Sequence, residues 1–458
     1  MARKSRQCVT ALVIIVVFLA ITSAPLQAKQ RLNINEEWVL DTGSGIPYSI
    51  DLSADGSIAV VAIEYPASLL VVDVATGNIV RKVSMGKDYY AAFAAITPDG
   101  AKAALLLSRP VSKDNYVFRI ALVSVDTGKT LWRTSEYPGF GWNVDFSDDG
   151  KLIVASPASD NVVYAFRTSN GAVAWKTKLS GAAKLWGVRA SGGKVFVGIV
   201  TGEGEGMVVV LSKDGEEVNR IKNLPGQPIL PTLSPNSKLL AIPIGLTESE
   251  SSFRGWIALY DATTLKKVWL SPNLGEYPWV AAFLPAQQVV ATVLDNGKVC
   301  FLSLNDGSVL RCEIHKGWAG DSLASVPSRG LVIVTMDKKL SSGEYVGKII
   351  AYRVSLAGGG QPSTTAPQTT TKPSTTQPTT PATASQPTTP ATTHAGTSAV
   401  TGDVTTPATT TKPGGGVPWA LVAGGGVGVA VVVVIALILL KRRSRQPAYM
   451  PPPPPPPA

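Results

Sequence analysis

Few residues of this 458-residue chain are suited to catalysis. Of its two histidines, His394 lies in a Thr/Pro-rich tract, and His315 follows a run of β-forming residues in CEIHKGW. A single histidine in the body of the chain, residues 29–356, leaves no His-rich metal site and argues against a Ser-His-Asp triad. We therefore interpret His315 as structural or incidental.

Cys300 and Cys312 are the two cysteines of the body, and they flank the hairpin sequence LNDGS. A three-residue loop with Gly307 in the left-handed conformation puts residue 304 opposite residue 308, and therefore Cys300 opposite Cys312. In an extracellular setting this spacing predicts a cross-strand disulfide. Two free thiols are the alternative, because hairpin geometry strains such a bond.

Acidic turns recur along the body. The pattern Asp-x-Ser-x-Asp-Gly occurs at Asp51–Gly56 and again at Asp145–Gly150. It could be mistaken for a calcium loop, but the acidic ligand that follows in an EF-hand is missing. Asp and Ser side chains that fold onto their own backbone explain the pattern more simply. We predict no metal at these turns.

The elements that must position these residues are short strands. Runs rich in Val, Ile, Phe, Tyr and Trp alternate with breaks rich in Gly, Asn, Asp, Ser and Pro, as in the four-strand stretch Trp142–Thr177. A four-strand unit at a period of about 42–51 residues is typical of a propeller blade. The sequence therefore predicts an all-β, seven-bladed β-propeller, and a β-sandwich pair or a β-helix fits the period less well. The units begin at Tyr48, Ala91, Trp142, Trp186, Ile229, Trp279 and Ser322.

The last unit shows how the ring would close. It supplies three strands before the Thr/Pro-rich tract begins. The missing fourth lies at the other end of the body, where Glu37-Trp38-Val39-Leu40 resembles the outer strands that contain Trp132 and Trp175. We therefore expect the first strand of the body to pair with the last blade.

Aromatic residues recur at one position of the repeat, the start of the innermost strand. Four residues share it: Tyr48, Trp142, Trp186 and Trp279. Tyr90 and Trp318 fall slightly earlier, in the loops leading in. In a propeller that position lies around one mouth of the central channel, where aromatic rings suit stacking on sugars or gripping a peptide. The alternative is that the rings wedge between neighbouring blades.

Several turns resemble known propeller repeats. The Asp-x-Ser-x-Asp-Gly turns, with Thr-Pro-Asp-Gly at Thr97–Gly100, are similar to the first turn of WD-like and YVTN repeats. The segments Val125–Trp132 and Thr168–Trp175 resemble the pyrroloquinoline-quinone (PQQ)-like repeat. The resemblance covers roughly residues 36–356. PQQ dehydrogenases of this kind carry adjacent cysteines and a calcium site beside the cofactor; this chain has no Cys-Cys pair, so we expect neither PQQ nor calcium.

The two ends of the chain look like membrane-targeting segments. Residues 1–28 carry a positive start, an apolar run and a small-residue cleavage site, which predicts a signal peptide; an uncleaved anchor is the alternative. Residues 357–416 form a Thr/Pro-rich tract that reads as a disordered, O-glycosylated stalk.

A second apolar stretch, residues 417–440, carries no charge and is long enough to span a bilayer. The basic residues that follow should keep the tail, residues 441–458, in the cytoplasm, so the body would lie outside the cell membrane. The tail ends in a polyproline run. Gly424 and Gly428 are spaced to allow a weak homodimer of the spanning helix.

Charge and composition narrow the function. The net charge of +10 comes mostly from the ends, and residues 29–356 hold 33 basic and 31 acidic residues, so a nucleic-acid partner is not expected. We favour a non-enzymatic, single-pass propeller that binds an extracellular protein or glycan. The alternative is an extracellular enzyme on the same scaffold, either a quinoprotein-like oxidoreductase or a carbohydrate-active enzyme, and fold alone does not decide between them.

Overall fold

Seven antiparallel sheets make up the part of the chain that the computed structural model describes, residues 31–112, 115–157, 161–249 and 252–357. The innermost strand of each sheet contacts that of the next, and the seventh contacts the first. The seven-bladed β-propeller predicted from the sequence is therefore confirmed.

The predicted signal peptide, the span, the tail and nearly all of the stalk lie outside the described residues, as do Gly424 and Gly428. Within the described ranges no helix is long and apolar enough to cross a membrane.

Blades 1 to 3 follow one another along the chain. Blade 1 consists of β2 (Pro47–Leu52), β3 (Ile58–Ile63), β4 (Ala67–Asp73) and β5 (Ile79–Gly86). Blade 2 consists of β6 (Tyr90–Ile96), β7 (Lys102–Pro110), β8 (Tyr116–Ser124), β9 (Thr130–Arg133) and the short β10 (Tyr137–Pro138). Blade 3 consists of β11 (Gly141–Phe146), β12 (Leu152–Pro157), β13 (Val162–Arg167) and β14 (Val173–Lys178).

Blades 4 and 5 differ in their innermost strands. Blade 4 consists of β15 (Ala182–Ser191), β16 (Lys194–Thr201), β17 (Gly206–Ser212) and β18 (Glu217–Leu224). Blade 5 consists of β19 (Gln227–Pro228), β20 (Thr232–Leu233), β21 (Leu239–Ser249), β22 (Ser252–Asp261) and β23 (Lys267–Leu270). The inner strand of blade 5 is interrupted before Thr232, where Pro231 has no N–H to give to the ladder.

Blades 6 and 7 each contain one short 3-10 turn. Blade 6 consists of β24 (Pro278–Leu284), the turn Pro285–Gln287, β25 (Val289–Leu294), β26 (Lys298–Ser303) and β27 (Val309–Ile314). Blade 7 consists of β28 (Ala319–Val326), the turn Pro327–Arg329, β29 (Leu331–Lys339), β30 (Tyr345–Leu356) and, from the start of the body, β1 (Leu32–Ser44).

The ring closes as the sequence predicts. Strand β1 pairs with β30 along almost its whole length, with Trp38 opposite Ala351 and Leu32 opposite Leu356. Arg353 and Glu37 add an ion pair across the two strands. Both ends of the described domain are therefore fixed in one sheet.

Packing between blades explains the strand sequences. The middle strands are buried on both faces by neighbouring sheets, so β3 is a continuous apolar run and β25 contains one polar residue, Thr292, whose hydroxyl donates to the Val280 carbonyl. Each outermost strand faces solvent on one side, and β5 and β14 alternate accordingly.

Four outer-strand tryptophans join one blade to the next. The Nε1–H of each donates to a backbone carbonyl of the next blade at 2.9–3.1 Å, and each ring covers a turn glycine there. These bonds explain why the PQQ-like segments end in Trp. The donor and acceptor pairs are Trp38 and Val74, Trp132 and Thr168, Trp175 and Lys213, and Trp269 and Leu304.

The hairpin of blade 6 contains a disulfide. Cys300 pairs with Cys312 in the ladder, and their sulfurs are bonded. The loop differs from the sequence expectation, because Ser303 rather than residue 304 lies opposite Ser308: Ser303 N–H donates to the Ser308 carbonyl, and the Ser303 carbonyl accepts from Gly307 N–H. A bulge at Leu310 takes up the extra residue, so the two cysteines still face each other.

Two faces of the propeller follow from this topology. We call the upper face the one where the innermost strands begin, which also carries the loops between blades and the hairpins between second and third strands. The lower face carries the turns after the first and third strands. The chain enters and leaves the described domain at the lower face, where Ala357 N–H donates to the Arg31 carbonyl at 2.9 Å.

The Asp-x-Ser-x-Asp-Gly turns lie on the lower face. Ser53 Oγ donates to Asp55 Oδ1 at 2.6 Å and accepts from Ile58 N–H at 3.1 Å, so the turn satisfies its own polar groups. The first Asp has another role, because Asp51 Oδ2 accepts from Ile96 N–H of the next blade at 2.9 Å. The motif is a turn combined with a link between blades.

We expect the change Trp269→Phe to lower the free energy of unfolding by about 1–3 kcal/mol, since the partly buried Leu304 carbonyl loses its donor. Urea denaturation measures the loss. The exposed neighbour Val268 provides the control, and Val268→Thr should change stability by less than about 0.5 kcal/mol. Equal effects of the two changes would show that the bond between blades contributes nothing.

Candidate functional site

A β-bulge lies near the upper end of most innermost strands. Pro47 pairs with Ile63 and Ser49 with Ala62, so Tyr48 between them is left out of the ladder. Trp142 and Trp279 occupy the same position in blades 3 and 6, and in blade 4 two residues, Trp186 and Gly187, are left out. A bulge re-aims the side chain of the extra residue.

The bulges bring rings from four blades together at the channel axis. The ring centroids of Tyr48 and Trp142 are 6.2 Å apart, although blades 1 and 3 are not neighbours. Trp142 and Trp186 are 5.2 Å apart. Trp186 and Trp279 are 6.5 Å apart, and blades 4 and 6 are again not neighbours. We call these four residues the axial cluster.

The axial cluster is packed rather than open. Trp142, Trp186 and Trp279 are 6%, 2% and 9% exposed. The polar edges of two of them are also occupied, since Trp186 Nε1–H donates to Gln227 Oε1 at 3.1 Å and Trp279 Nε1–H donates to Asp295 Oδ1 at 3.2 Å. Gly187 lets the strands of blades 4 and 5 approach, because a Cβ there would lie 2.4 Å from the Ile229 carbonyl. The flat faces of the indoles are thus covered.

The other two aromatic candidates lie away from the axis. Tyr90 packs against Tyr65 at a ring distance of 5.8 Å. Trp318 lies beneath Lys348, whose Nζ is 4.2 Å from the ring centroid. The structure therefore brings together four of the six aromatic residues that the sequence singles out.

Four partly exposed aromatic residues surround the axial cluster, and none of them is among the candidates from the sequence. Tyr65, in the hairpin of blade 1, is 47% exposed. Tyr116 contacts Phe140 at 5.3 Å, and Phe253 on the hairpin of blade 5 contacts Tyr277 at 5.9 Å. We call Tyr65, Tyr116, Phe140 and Phe253 the aromatic rim.

A cavity lies under the axial cluster. It has a volume of about 20 Å³ and is lined by Tyr48, Trp142, Asn143, Trp279, Asp321 and Ser322, among others. A space of this size holds about one water molecule. It is far smaller than the roughly 300 Å³ or more of a typical ligand pocket.

Buried charges line the channel below. Asp145 Oδ2 accepts from Ala190 N–H of the next blade at 2.7 Å, and its Oδ1 lies 3.5 Å from Arg189 Nη1. Burial raises the pKa of Asp145 to about 7, against the opposing effect of Arg189. Burial also raises the pKa of Asp51. Both carboxylates link blades, as described above for Asp51.

Lys184 is a residue that sequence analysis missed. It is 8% exposed, and its Nζ lies 3.7 Å from the ring centroid of Trp186 and 5.8 Å from that of Trp142. Burial lowers the pKa of its amine to about 7. The spacing Lys184-Leu185-Trp186 could have indicated this contact, because residues two apart in a strand share a face.

A second polar group lies at the base of the blade 2 hairpin. Glu136 accepts hydrogen bonds from Arg109 at 2.6 and 2.8 Å, from Tyr89 at 2.5 Å and from Arg119 at 2.8 Å. The bonds from Arg109, followed by that from Tyr89, lower the pKa of Glu136 to about 2. This carboxylate is fully engaged in holding the hairpin.

His315 belongs to a third group, at the upper end of blade 6. Its Nδ1 accepts from Lys348 Nζ at 3.2 Å, so Nε2 carries the proton and donates to the Tyr352 hydroxyl. Burial, followed by the charge of Lys348, lowers the pKa of His315. The structural interpretation of His315 agrees with these contacts.

Comparison with known proteins agrees with the fold. The family model described as outer membrane protein assembly factor BamB, of the PQQ type, matches residues 117–310. That range runs from blade 2 to blade 6 and contains three of the four tryptophans that join blades. Residues 117–310 of this β-propeller are therefore similar to the PQQ-type repeat.

Three solved structures illustrate the similarity of this propeller to known folds. Hydrazine synthase of Kuenenia stuttgartiensis is 16% identical, with a TM-score of 0.53 over 64% of this chain and 94% of that one. The RRP9 WD40 repeats are 12% identical, with a TM-score of 0.55 over 70% and 100%. U3-55K is 12% identical, with a TM-score of 0.53 over 70% and 98%. At such identities the likeness shows the fold alone. No curated protein matches this chain.

What the propeller can do chemically follows from which groups are engaged. Glu136 and His315 already have their polar atoms bonded within the fold. Within the described ranges, no group of three or more His, Cys, Asp or Glu residues is placed to hold a metal ion. The upper face nevertheless offers apolar contact area at the aromatic rim and one buried amine.

The change Trp186→Ala should lower the free energy of unfolding by roughly 3–5 kcal/mol, because it leaves a cavity in the axial cluster. By contrast, Lys184→Met should keep or raise stability, since the side chain still covers the indole and the buried amine is gone. Urea denaturation of both variants measures this. A loss below about 1 kcal/mol for Trp186→Ala would mean that the ring is not packed.

Acid should weaken the propeller through His315. Its folded pKa lies below the ordinary value, so its contribution to stability is present above about pH 6.5 and is lost as the pH falls. Glu36 and Glu313 act in the opposite direction and reduce the effect. The variant His315→Gln, which stays neutral, should lose less stability between pH 7.5 and 5 than the wild type. Parallel stability curves for the two proteins would contradict this assignment.

Proposed function

We propose that this propeller is a non-enzymatic module, tethered to the cell membrane, that binds an extracellular protein or glycan on its upper face. The observation that carries the proposal is the aromatic rim, where Tyr and Phe rings stay partly exposed around a closed axial cluster. Aromatic residues of this kind are enriched in recognition surfaces.

The position of the chain ends supports a tethered role. The described domain begins and ends on the lower face, where Leu32 pairs with Leu356. If residues 357–416 form a stalk and residues 417–440 an anchor, the attachment point lies on the face opposite the aromatic rim. The upper face would then be directed away from the membrane and toward partners.

We also propose that the module works without PQQ or calcium. The cavity of about 20 Å³ under the axial cluster supports this, because a tricyclic quinone needs far more space. The enzyme alternative rests on fold-level similarity alone, so we do not propose it.

Site-specific photo-crosslinking in cells that express the full chain tests the proposal. A benzophenone amino acid at Tyr65 or Tyr116 on the upper face should give discrete cross-linked products. The same amino acid at the exposed Lys129, in a lower-face turn, should not. Mass spectrometry of the adducts distinguishes a protein from a glycan. Products from Lys129 alone, or none from either upper position, would contradict the proposal.

A further inference from the structure

Lys184 is placed unusually for a lysine at a protein surface. Strand β15 runs downward from Ala182, so Lys184 lies above Trp186 and closer to the upper face. Its amine rests on the Trp186 ring at 3.7 Å and borders the Trp142 ring, and the side chain is more than nine-tenths buried. The amine therefore lies at the entrance to the axial cluster.

Among the described residues, none accepts a hydrogen bond from the amine or forms an ion pair with it. Its contacts are with the two indole rings. Indole faces attract a cation but accept none of its three N–H donors in the way an oxygen does. The nitrogen itself is not among the fully buried side-chain atoms that lack a partner, so it keeps some contact with solvent while the rest of the side chain is covered. A ligand oxygen placed above the amine would replace water there and supply the acceptor that the fold does not.

We propose that Lys184 anchors a carboxylate, supplied by an acidic side chain of the protein that docks on the upper face. This inference rests on the proposed function and names the chemistry of its partner. The carboxylate would accept from the ammonium, and its methylene groups would pack against the neighbouring aromatic rings.

The chemistry of the site selects a carboxylate. One ammonium matches one negative charge, whereas a phosphate carries more charge than a single lysine neutralises. The surroundings of the amine are indole rings, which suit the apolar stem of an acidic side chain. When binding removes the ammonium and the carboxylate from water, the attraction between them strengthens and the ion pair contributes to specificity.

The upper face favours a protein over an acidic sugar as the source of the carboxylate. Sugars stack on the open faces of aromatic rings, and the three indoles of the axial cluster are covered. The aromatic rim, with Arg109 and Arg119 nearby on the blade 2 hairpin, has the Tyr, Phe and Arg composition of a protein interface.

Titration of the full-length protein with N-acetyl-glutamate amide tests the inference, with tryptophan fluorescence as the readout. We expect a saturable change that is at least tenfold weaker with the neutral isostere N-acetyl-glutamine amide. Lys184→Met should abolish the change, and Lys184→Arg should retain part of it. Lys213→Met is the matched control, because Lys213 is 73% exposed on the lower face, and it should respond as the wild type does.

The outcomes separate this inference from the proposed function. No saturable change, or an equal change in Lys184→Met, overturns the carboxylate site. A Lys184-dependent response to D-glucuronate but not to the glutamate probe overturns the assignment to a protein. The photo-crosslinking experiment can be repeated in the Lys184→Met variant with the benzophenone amino acid at position 116. If the cross-links keep their full yield, the inference fails while the proposed function stands.

Discussion

The pairing of β1 with β30 closes the ring, and the upper face depends on that closure. Tyr48 and Trp142 come from blades that are not neighbours in the ring, and so do Trp186 and Trp279, yet their rings are in contact. Such contacts are possible only when all blades are held around one axis. The tryptophan bonds between outer strands and the aspartate bonds between inner strands keep each blade at its place in that ring.

The bulges at the upper ends of the inner strands separate the covered aromatic rings from the exposed ones. They direct the largest side chains to the axis, where the rings cover one another and stop the channel. In our proposal, ligand contact falls to the aromatic rim and to Lys184, which lie above the covered rings. The lower face, by contrast, consists of turns that satisfy their own polar groups and receives both ends of the domain.

Much of the fold could be predicted because each blade repeats the same turn chemistry, and the fourth strand of blade 7 matched the outer strands in sequence. The sequence also predicts the position of Trp142 at the start of its strand. It does not predict the burial of Trp142, because that burial depends on Tyr48 and Trp186 from other blades. For Lys184, the spacing from Trp186 indicates the contact between the two, but the burial also depends on Trp142 from blade 3. The hairpin loop at Gly307 was misplaced because the bulge at Leu310 has no sequence signal of its own.

Hydroxyl-radical footprinting of the full-length protein, read residue by residue, tests most directly whether the axial cluster is closed and the aromatic rim is open. Tryptophan reacts intrinsically faster with hydroxyl radicals than tyrosine does. Slower oxidation of the tryptophans would therefore show that their indoles are covered. The account requires Trp142, Trp186 and Trp279 to be oxidised much more slowly than Tyr65 and Tyr116. Oxidation of Trp142 and Trp186 as fast as that of Tyr65 would contradict it and would show an open aromatic mouth.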